Sequence, residues 1–300
     1  MVKKILGYIA LSLATTIALW AQPGADGLAF LKNGVGGRAL AMGEAYGAIA
    51  SDPSAMYYNP AALAITPSSE ILLMHEEWIE NTQTEYLAAK SEIGDFSFGA
   101  AVNSTSINNI EIRDVPGPAI GTFDSHDASV GLSGAYAFDS TFAIGVTANY
   151  LYEKIYYAEA TGGGFSFGAI YQSPWNIRFG ASVSNLGSMG VLDSLSSTLP
   201  TSIRVGAGDV FKLDDHNSTL TVAADLLSYT VEDRSHLLTG VEYNYQNTVA
   251  FRVGYQTGYD SKSFSAGFGV KYQFLHFDYA FVPFQNDLGD TNILSLSFEL

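Results

Sequence analysis

The chain closes on Leu294-Ser295-Leu296-Ser297-Phe298-Glu299-Leu300. Leu294, Leu296, Phe298 and Leu300 alternate strictly with Ser295, Ser297 and Glu299 up to the final residue. A strand sends successive side chains to opposite faces, so this tail reads as a strand with one apolar and one polar face. Soluble domains seldom stop on so apolar a strand. The last strand of a membrane barrel needs such a face, because its outer side meets lipid. The tail therefore predicts an all-β chain: a transmembrane antiparallel barrel in which this strand closes against the first.

Working back from the tail, the same period recurs. In 264–274, Phe264, Ala266, Phe268, Val270, Tyr272 and Phe274 oppose Ser265, Gly267, Gly269, Lys271 and Gln273. In 142–152, Phe142, Ile144, Val146, Ala148, Tyr150 and Tyr152 oppose Ala143, Gly145, Thr147 and Asn149. Similar segments fall at 71–78, 84–91, 95–104, 127–138, 162–173, 175–186, 201–211, 218–228, 236–246, 248–257, 276–284 and 292–300, which makes about fourteen strands. Each is near the ~9–11 residues that a tilted membrane strand needs. The connections alternate in length. Those at 105–126, 154–161, 187–200, 229–235, 258–263 and 285–291 read as long loops, and Asp139-Ser140, Ser173-Pro174, Gln246-Asn247 and the Leu275 junction as tight turns. Short turns at one end and longer loops at the other are the rhythm of membrane barrels. A soluble sandwich also alternates, but its polar face is usually rich in Lys and Glu; here that face is mostly Gly, Ser, Thr and Asn.

Composition narrows the setting. Charged residues make up 15% of the chain, aromatics are plentiful with 18 Tyr and 18 Phe, and there is no cysteine. That excludes disulfides, thiolate metal sites and a cysteine nucleophile. Lys3 and Lys4 precede an apolar run from Ile5 to Trp20, with the small residue Ala21 before Gln22-Pro23, so residues 1–21 read as a secretory signal peptide. Without them, 12 basic residues face 30 acidic ones, a net charge of −18. Such acidity speaks against nucleic acid, whose phosphates demand basic surfaces. Enzymatic signals are poor. The five histidines form no H-x-x-x-H. Asp214-Asp215-His216 and Asp287–Asp290 read as solvated acidic turns. No metal, cofactor or catalytic residue is expected.

Residues 22–69 differ from the rest. They are rich in Gly, Ala and Pro and do not alternate. Short helices are expected near Ala39–Ile49 and Pro53–Tyr58, with turns at Gly34–Gly37 and Asn59-Pro60. The barrel proper is assigned to 70–300. On the polar face of its strands lie Arg178, Arg204, Asp225, Glu242, Arg252, Lys271 and Asp278. Opposite charges fall on consecutive strands as Arg204 with Asp225, Glu242 with Arg252, and Lys271 with Asp278. Strands ~5 Å apart let such pairs meet, which predicts an ionic network in the lumen.

The stretch Gly34–Ala64, with Gly37-Arg38-Ala39, Met42-Gly43, Ala45–Ala50, Asp52 and Asn59-Pro60-Ala61, resembles the N-terminal signature of the PorV/PorQ family, relatives of the FadL-type fatty-acid channels. Phe264–Lys271, Asp278-Tyr279-Ala280 and Leu288-Gly289-Asp290 are similar to later parts of that family. The resemblance implies an outer-membrane barrel of a Gram-negative bacterium with the N-terminal segment folded inward as a plug or hatch. Gly37, Arg38, Met42, Gly43, Asp52, Asn59, Pro60 and Ala61 then carry plug geometry. It also implies an adaptor role in type IX-like protein secretion or surface attachment, with secreted cargo or other secretion-system proteins as partners beside outer-membrane lipid. The alternatives are a FadL-like channel for a hydrophobic small molecule and a structural barrel without transport. An adaptor needs apolar contacts on its outer loops, and Ile107, Ile110, Ile112, Met189 and Leu192 are the candidates.

Overall fold

A computed structural model describes residues 27–66, 68–78, 81–193, 195–213, 217–232 and 234–300; the signal-peptide reading of 1–21 and the Asp214-Asp215-His216 turn lie outside these. Fourteen strands form one closed antiparallel barrel. They are β1 (Glu70–Glu77), β2 (Thr82–Ile93), β3 (Phe96–Ile112), β4 (Gly121–Ala137), β5 (Phe142–Ile155), β6 (Ala158–Gln172) and β7 (Arg178–Met189). A two-stranded hairpin, β8 (Val191–Leu192) and β9 (Leu195–Ser196), follows outside the barrel sheet. The barrel resumes with β10 (Ser202–Leu213), β11 (Ser218–Tyr229), β12 (Ser235–Tyr245), β13 (Val249–Gln256), β14 (Phe264–Tyr272), β15 (Leu275–Pro283) and β16 (Asp290–Glu299). Among the described residues no helix is long and apolar enough to cross a membrane.

The closing tail sits in the seam. Leu294, Leu296 and Phe298 stand opposite His75, Leu73 and Ile71 of β1, and opposite Tyr279, Phe277 and Leu275 of β15. Leu73, Leu87, Val102, Val130, Phe251 and Leu294 are exposed, whereas Ser295, Ser297, Thr147 and Ser182 are buried. Apolar residues outside and polar ones inside invert a soluble domain and suit a lipid-facing wall with a protein-filled lumen.

Two loop expectations need correction. The segment 105–126 is mostly strand: β3 and β4 are each 17 residues long and pair out to Ile112 opposite Gly121. Likewise 154–161 shrinks to the turn Tyr156-Tyr157 between β5 and β6. These strand ends lie past the apolar belt, where water wets both faces, so alternation lapses although the backbone ladder continues. A bulge at Asn108-Asn109, with Asn109 at φ 61°, shifts the register between Ile107 and Ile110. One added residue restores the side to which Ile110 and Ile112 point, keeping them with Ile107. Ile107, Ile110 and Ile112 are therefore half-buried strand residues and not exposed loop side chains.

Residues 27–66 occupy the lumen. The expected helix near Ala39–Ile49 is only Gly37–Ala41, because Gly43 (φ 61°) and Glu44 (φ 59°) reverse the chain immediately after Met42. A second helix spans Ala55–Tyr58, and single 3-10 turns cover Ala29–Lys32 and Pro60–Ala64. Val35, Ala39, Met42, Ala45, Tyr46, Tyr58 and Leu63 form the core with inward wall residues such as Leu72, Met74, Leu227, Leu238 and Ile293. Inward-facing glycines bring segment and wall backbones together. A Cβ on Gly145 would overlap the Pro60 and Ala61 backbone, and one on Gly254 the Met42-Gly43 backbone.

Candidate functional site

The lumen segment is tied to the wall by two charged clusters. In the first, Arg38 Nε and Nη2 each donate to Glu242 at 2.8 Å, while Arg252 Nε donates to the same carboxylate at 2.6 Å. Arg252 Nη1 reaches on to Asp278 at 2.6 Å. Arg38 Nη1 also donates to Ser51 Oγ at 2.8 Å and to the Tyr46 hydroxyl at 3.2 Å. The planar guanidinium suits such bidentate binding. In the second cluster, Asp225 Oδ2 accepts from the Tyr46 and Gly47 N–H groups at 3.0 and 2.7 Å and from Arg204 Nη1 at 3.0 Å. Arg204 Nη1 donates also to the Glu44 carbonyl at 2.7 Å.

The motif residues of the segment serve its turns. Gly37 N–H donates to Ser295 Oγ at 2.8 Å, within the closing strand. Asp52 accepts from the Tyr46 hydroxyl and from the Ser54 N–H, the latter at 2.8 Å. Asn59 Oδ1 accepts from the Ala61 N–H at 3.2 Å, and its Nδ2 donates to Gly47 and Ala169 carbonyls at 2.9 and 3.1 Å. Pro60 opens the last 3-10 turn, where it has no N–H to leave unpaired. Met42 and Ala61 are fully buried.

Arg204 meets Asp225, and Glu242 meets Arg252, but Lys271 and Asp278 do not meet. Lys271 stands opposite His276 in the β14–β15 register and pairs with Glu299 at 2.9 Å, while Asp278 turns to Arg252. Arg178 joins no ion pair among the described residues; its Nε donates to Gln172 Oε1 at 3.2 Å. Met189 is another correction. It is buried with Leu28, Phe30, Leu31, Leu151 and Leu199, and Leu192 packs against that cluster, so neither offers an open contact on the rim.

Sequence reading passed over Glu44, Lys262 and Lys90. Glu44 is buried and accepts from Lys262 Nζ at 2.8 Å and from Gln256 Nε2 at 3.2 Å. Lys90 donates to the Ser51 carbonyl. The available signal was a lone glutamate inside the apolar run Met42–Ala50, since a buried charge requires a partner. Glu44 belongs to the lumen segment and to no spanning strand. Burial alone would raise its carboxyl pKa, but Lys262 and Arg204 outweigh burial and hold it below the ordinary carboxylate range. A lowered folded pKa stabilises the protein above the unfolded value, and that contribution disappears as pH falls through the folded one. The native chain is therefore expected to exceed a Glu44→Gln variant in thermal stability at pH 7 and to lose that advantage on acidification below about pH 4. Melting the two proteins in detergent across pH checks this, and a pH-independent difference would contradict it.

The lumen segment stands between spaces of unequal size. On the short-turn side lies a vestibule of about 870 Å³ lined by Arg38, Gln172, Trp175, Arg178 and Lys212. On the other side, Leu31, Tyr57, Tyr86, Asn103 and Tyr229 enclose about 50 Å³. A third space of about 150 Å³ lies between the segment and β1, β13, β15 and β16. The described residues hold no cluster of three or more His, Asp or Glu suited to a metal.

A family model described as an uncharacterised protein family, UPF0164, matches residues 23–151. No curated protein matches the chain. Among solved structures, the toluene transporter TbuX of Ralstonia pickettii is similar at 14% identity and a TM-score of 0.63, over 89% of this chain and 98% of that one. The toluene transporter TodX of Pseudomonas putida is similar at 12% identity and 0.62, over 89% and 98%. The monoaromatic hydrocarbon channel CymD gives 12% and 0.60, over 92% and 98%. At these identities the likeness is one of fold. What this chain shares with them is the closed antiparallel barrel; TbuX and TodX are described as transporters and CymD as a channel.

Proposed function

We propose that the chain is an outer-membrane channel for small hydrophobic molecules. The observation that carries this reading is the match of fold, over nearly the whole of both chains, to TbuX, TodX and CymD. The lumen supports it. A channel of this kind needs a closed wall, an obstructing segment held by polar contacts that can be exchanged, and pockets on both sides of that segment. Arg38, Glu242, Arg204 and Asp225 are such contacts. Expression in cells with a lipopolysaccharide outer membrane is expected to raise uptake of labelled toluene several-fold over an empty vector. Uptake equal to the control would overturn the reading.

One observation favours a second reading, the PorV/PorQ-type adaptor. The paired ends of β3 and β4 carry the half-buried Ile107, Ile110 and Ile112 on one side together with Phe123, an apolar strip that a secreted protein or a secretion-system partner would reach at the inner rim of the barrel mouth. With Met189 buried and Leu192 packed against its cluster, the adaptor surface reduces to this strip. Ile110→Asp is expected to abolish co-purification of a partner under the adaptor reading and to leave toluene uptake unchanged under the channel reading.

A further inference from the structure

The 150 Å³ space beside Glu44 is lined by buried polar groups whose bonding is incomplete. Glu76 on β1, Gln256 on β13 and Thr291 on β16 are 6%, 6% and 2% exposed, and all three line this cavity. Glu76 Oε2, Gln256 Oε1 and Thr291 Oγ1 have no hydrogen-bond partner among the described residues. Glu76 stands opposite Ile293 in the β1–β16 register, so Thr291 is its diagonal neighbour on the inward face, roughly 7–8 Å away between backbones. Beside Lys32, Asn33, Glu44, Ser261 and Lys262, the lining is aromatic and aliphatic. Trp78 and Phe284 pack at a ring separation of 6.0 Å, and Tyr259, Leu40 and Val282 complete it.

Charge decides what such a space accepts. Lys262 is bound to Glu44, with its Nζ 4.5 Å from the Tyr259 ring centre. Lys32 is paired with Glu232 at 2.9 Å. Both cations of this wall are thus matched, and Glu76 remains as a buried carboxylate with no ion pair to any described residue. A buried charge of that kind calls for a counter-charge. The open groups are mainly acceptors, as an ammonium with three N–H donors requires, and Trp78 lends an aromatic surface beside them. An engineered cavity of about 150 Å³ holds a molecule of benzene's size, which sets the dimensions of the guest.

We propose that this cavity is a binding site for a small organic ammonium ion of about one ring's size, with its charged head at Glu76 and Thr291 and its body against Trp78, Tyr259 and Phe284. The site does not depend on transport, so it stands apart from the channel reading. Titration calorimetry of the full chain in detergent, with benzylammonium and benzyl alcohol as probes, tests it. One benzylammonium per chain is expected to bind at least tenfold more tightly than the alcohol. Glu76→Gln is expected to remove that preference while sparing the alcohol, and Trp78→Leu to weaken both probes. Equal affinity for the two probes, no saturable benzylammonium binding, or an unchanged preference in Glu76→Gln would overturn the proposal. Should Glu76→Gln fail to fold, the native preference and the Trp78→Leu loss still decide the matter. Toluene uptake in cells judges the channel reading independently of these titrations.

Discussion

Glu242→Gln is expected to destabilise the barrel by about 3–5 kcal/mol, the usual cost of removing one partner from a buried ion pair. The carboxylate is nearly inaccessible and accepts from both Arg38 and Arg252. Without its charge, two guanidinium groups face one another in the lumen, Arg252 still held by Asp278 and Arg38 left with no ion pair among the described residues. The mechanism is desolvation without compensation, so a second change that removes the stranded charge should recover part of the loss. Arg38→Met in the Glu242→Gln background is therefore expected to be more stable than Glu242→Gln alone. Urea or heat unfolding in detergent measures both. A loss under about 1 kcal/mol for Glu242→Gln would mean that the pair is solvated like a surface salt bridge.

Gly145→Val is expected to dislodge the lumen segment. The new side chain would enter the space of the Pro60 and Ala61 backbone, and backbone cannot swing aside as the tip of a side chain can. Overpacking of this sort costs roughly 1–3 kcal/mol, but the functional consequence is larger, because the obstruction itself must move. Planar bilayers holding the variant are expected to show open-channel steps where the native protein is closed. Ala148→Val, at an outward-facing position of the same strand, is the matched control and should behave as native. A silent Gly145→Val channel that melts like the native protein would show that the segment yields locally without leaving.

Much of the wall could be read from the chain because its environment is periodic. In 264–272 and 294–299 an apolar outer face and a protein-filled interior impose a period of two, and both lie in strands of the closed barrel. The rule fails where the environment stops alternating. Asn103 to Ser106 carry polar side chains in succession, so β3 reads as ending near 104 although its ladder runs to Ile112. Register is likewise invisible to composition. Lys271 and Asp278 lie on adjacent strands, but the tight turn between β14 and β15 sets His276 against Lys271. In the lumen segment, the reversal at Gly43-Glu44 rests on two consecutive positive φ values. Glycine announces such a turn, whereas a following glutamate hides it. The Arg38–Glu242 bond joins residues 204 positions apart, and no local pattern encodes it.

That distance along the chain bears on how the molecule assembles. The lumen segment precedes every strand; Asn59-Pro60-Ala61 packs on β5 and β6, but the grips on Gly37 to Gly47 are late ones: Asp225, Glu242, Gly254 and Ser295 all lie in the second half of the chain. That part of the segment, made first, must wait for these partners until β11 to β16 exist. Loop closure over some two hundred residues is slow compared with hairpin formation. The seam between β1 and β16 is also the last pairing available to the sheet, and Gly37 bonds to the strand that makes it. Insertion of the segment and zipping of the seam are thus one kinetic event: a barrel that closed early would shut its own filling outside, and a segment that docked late would find no gate left open.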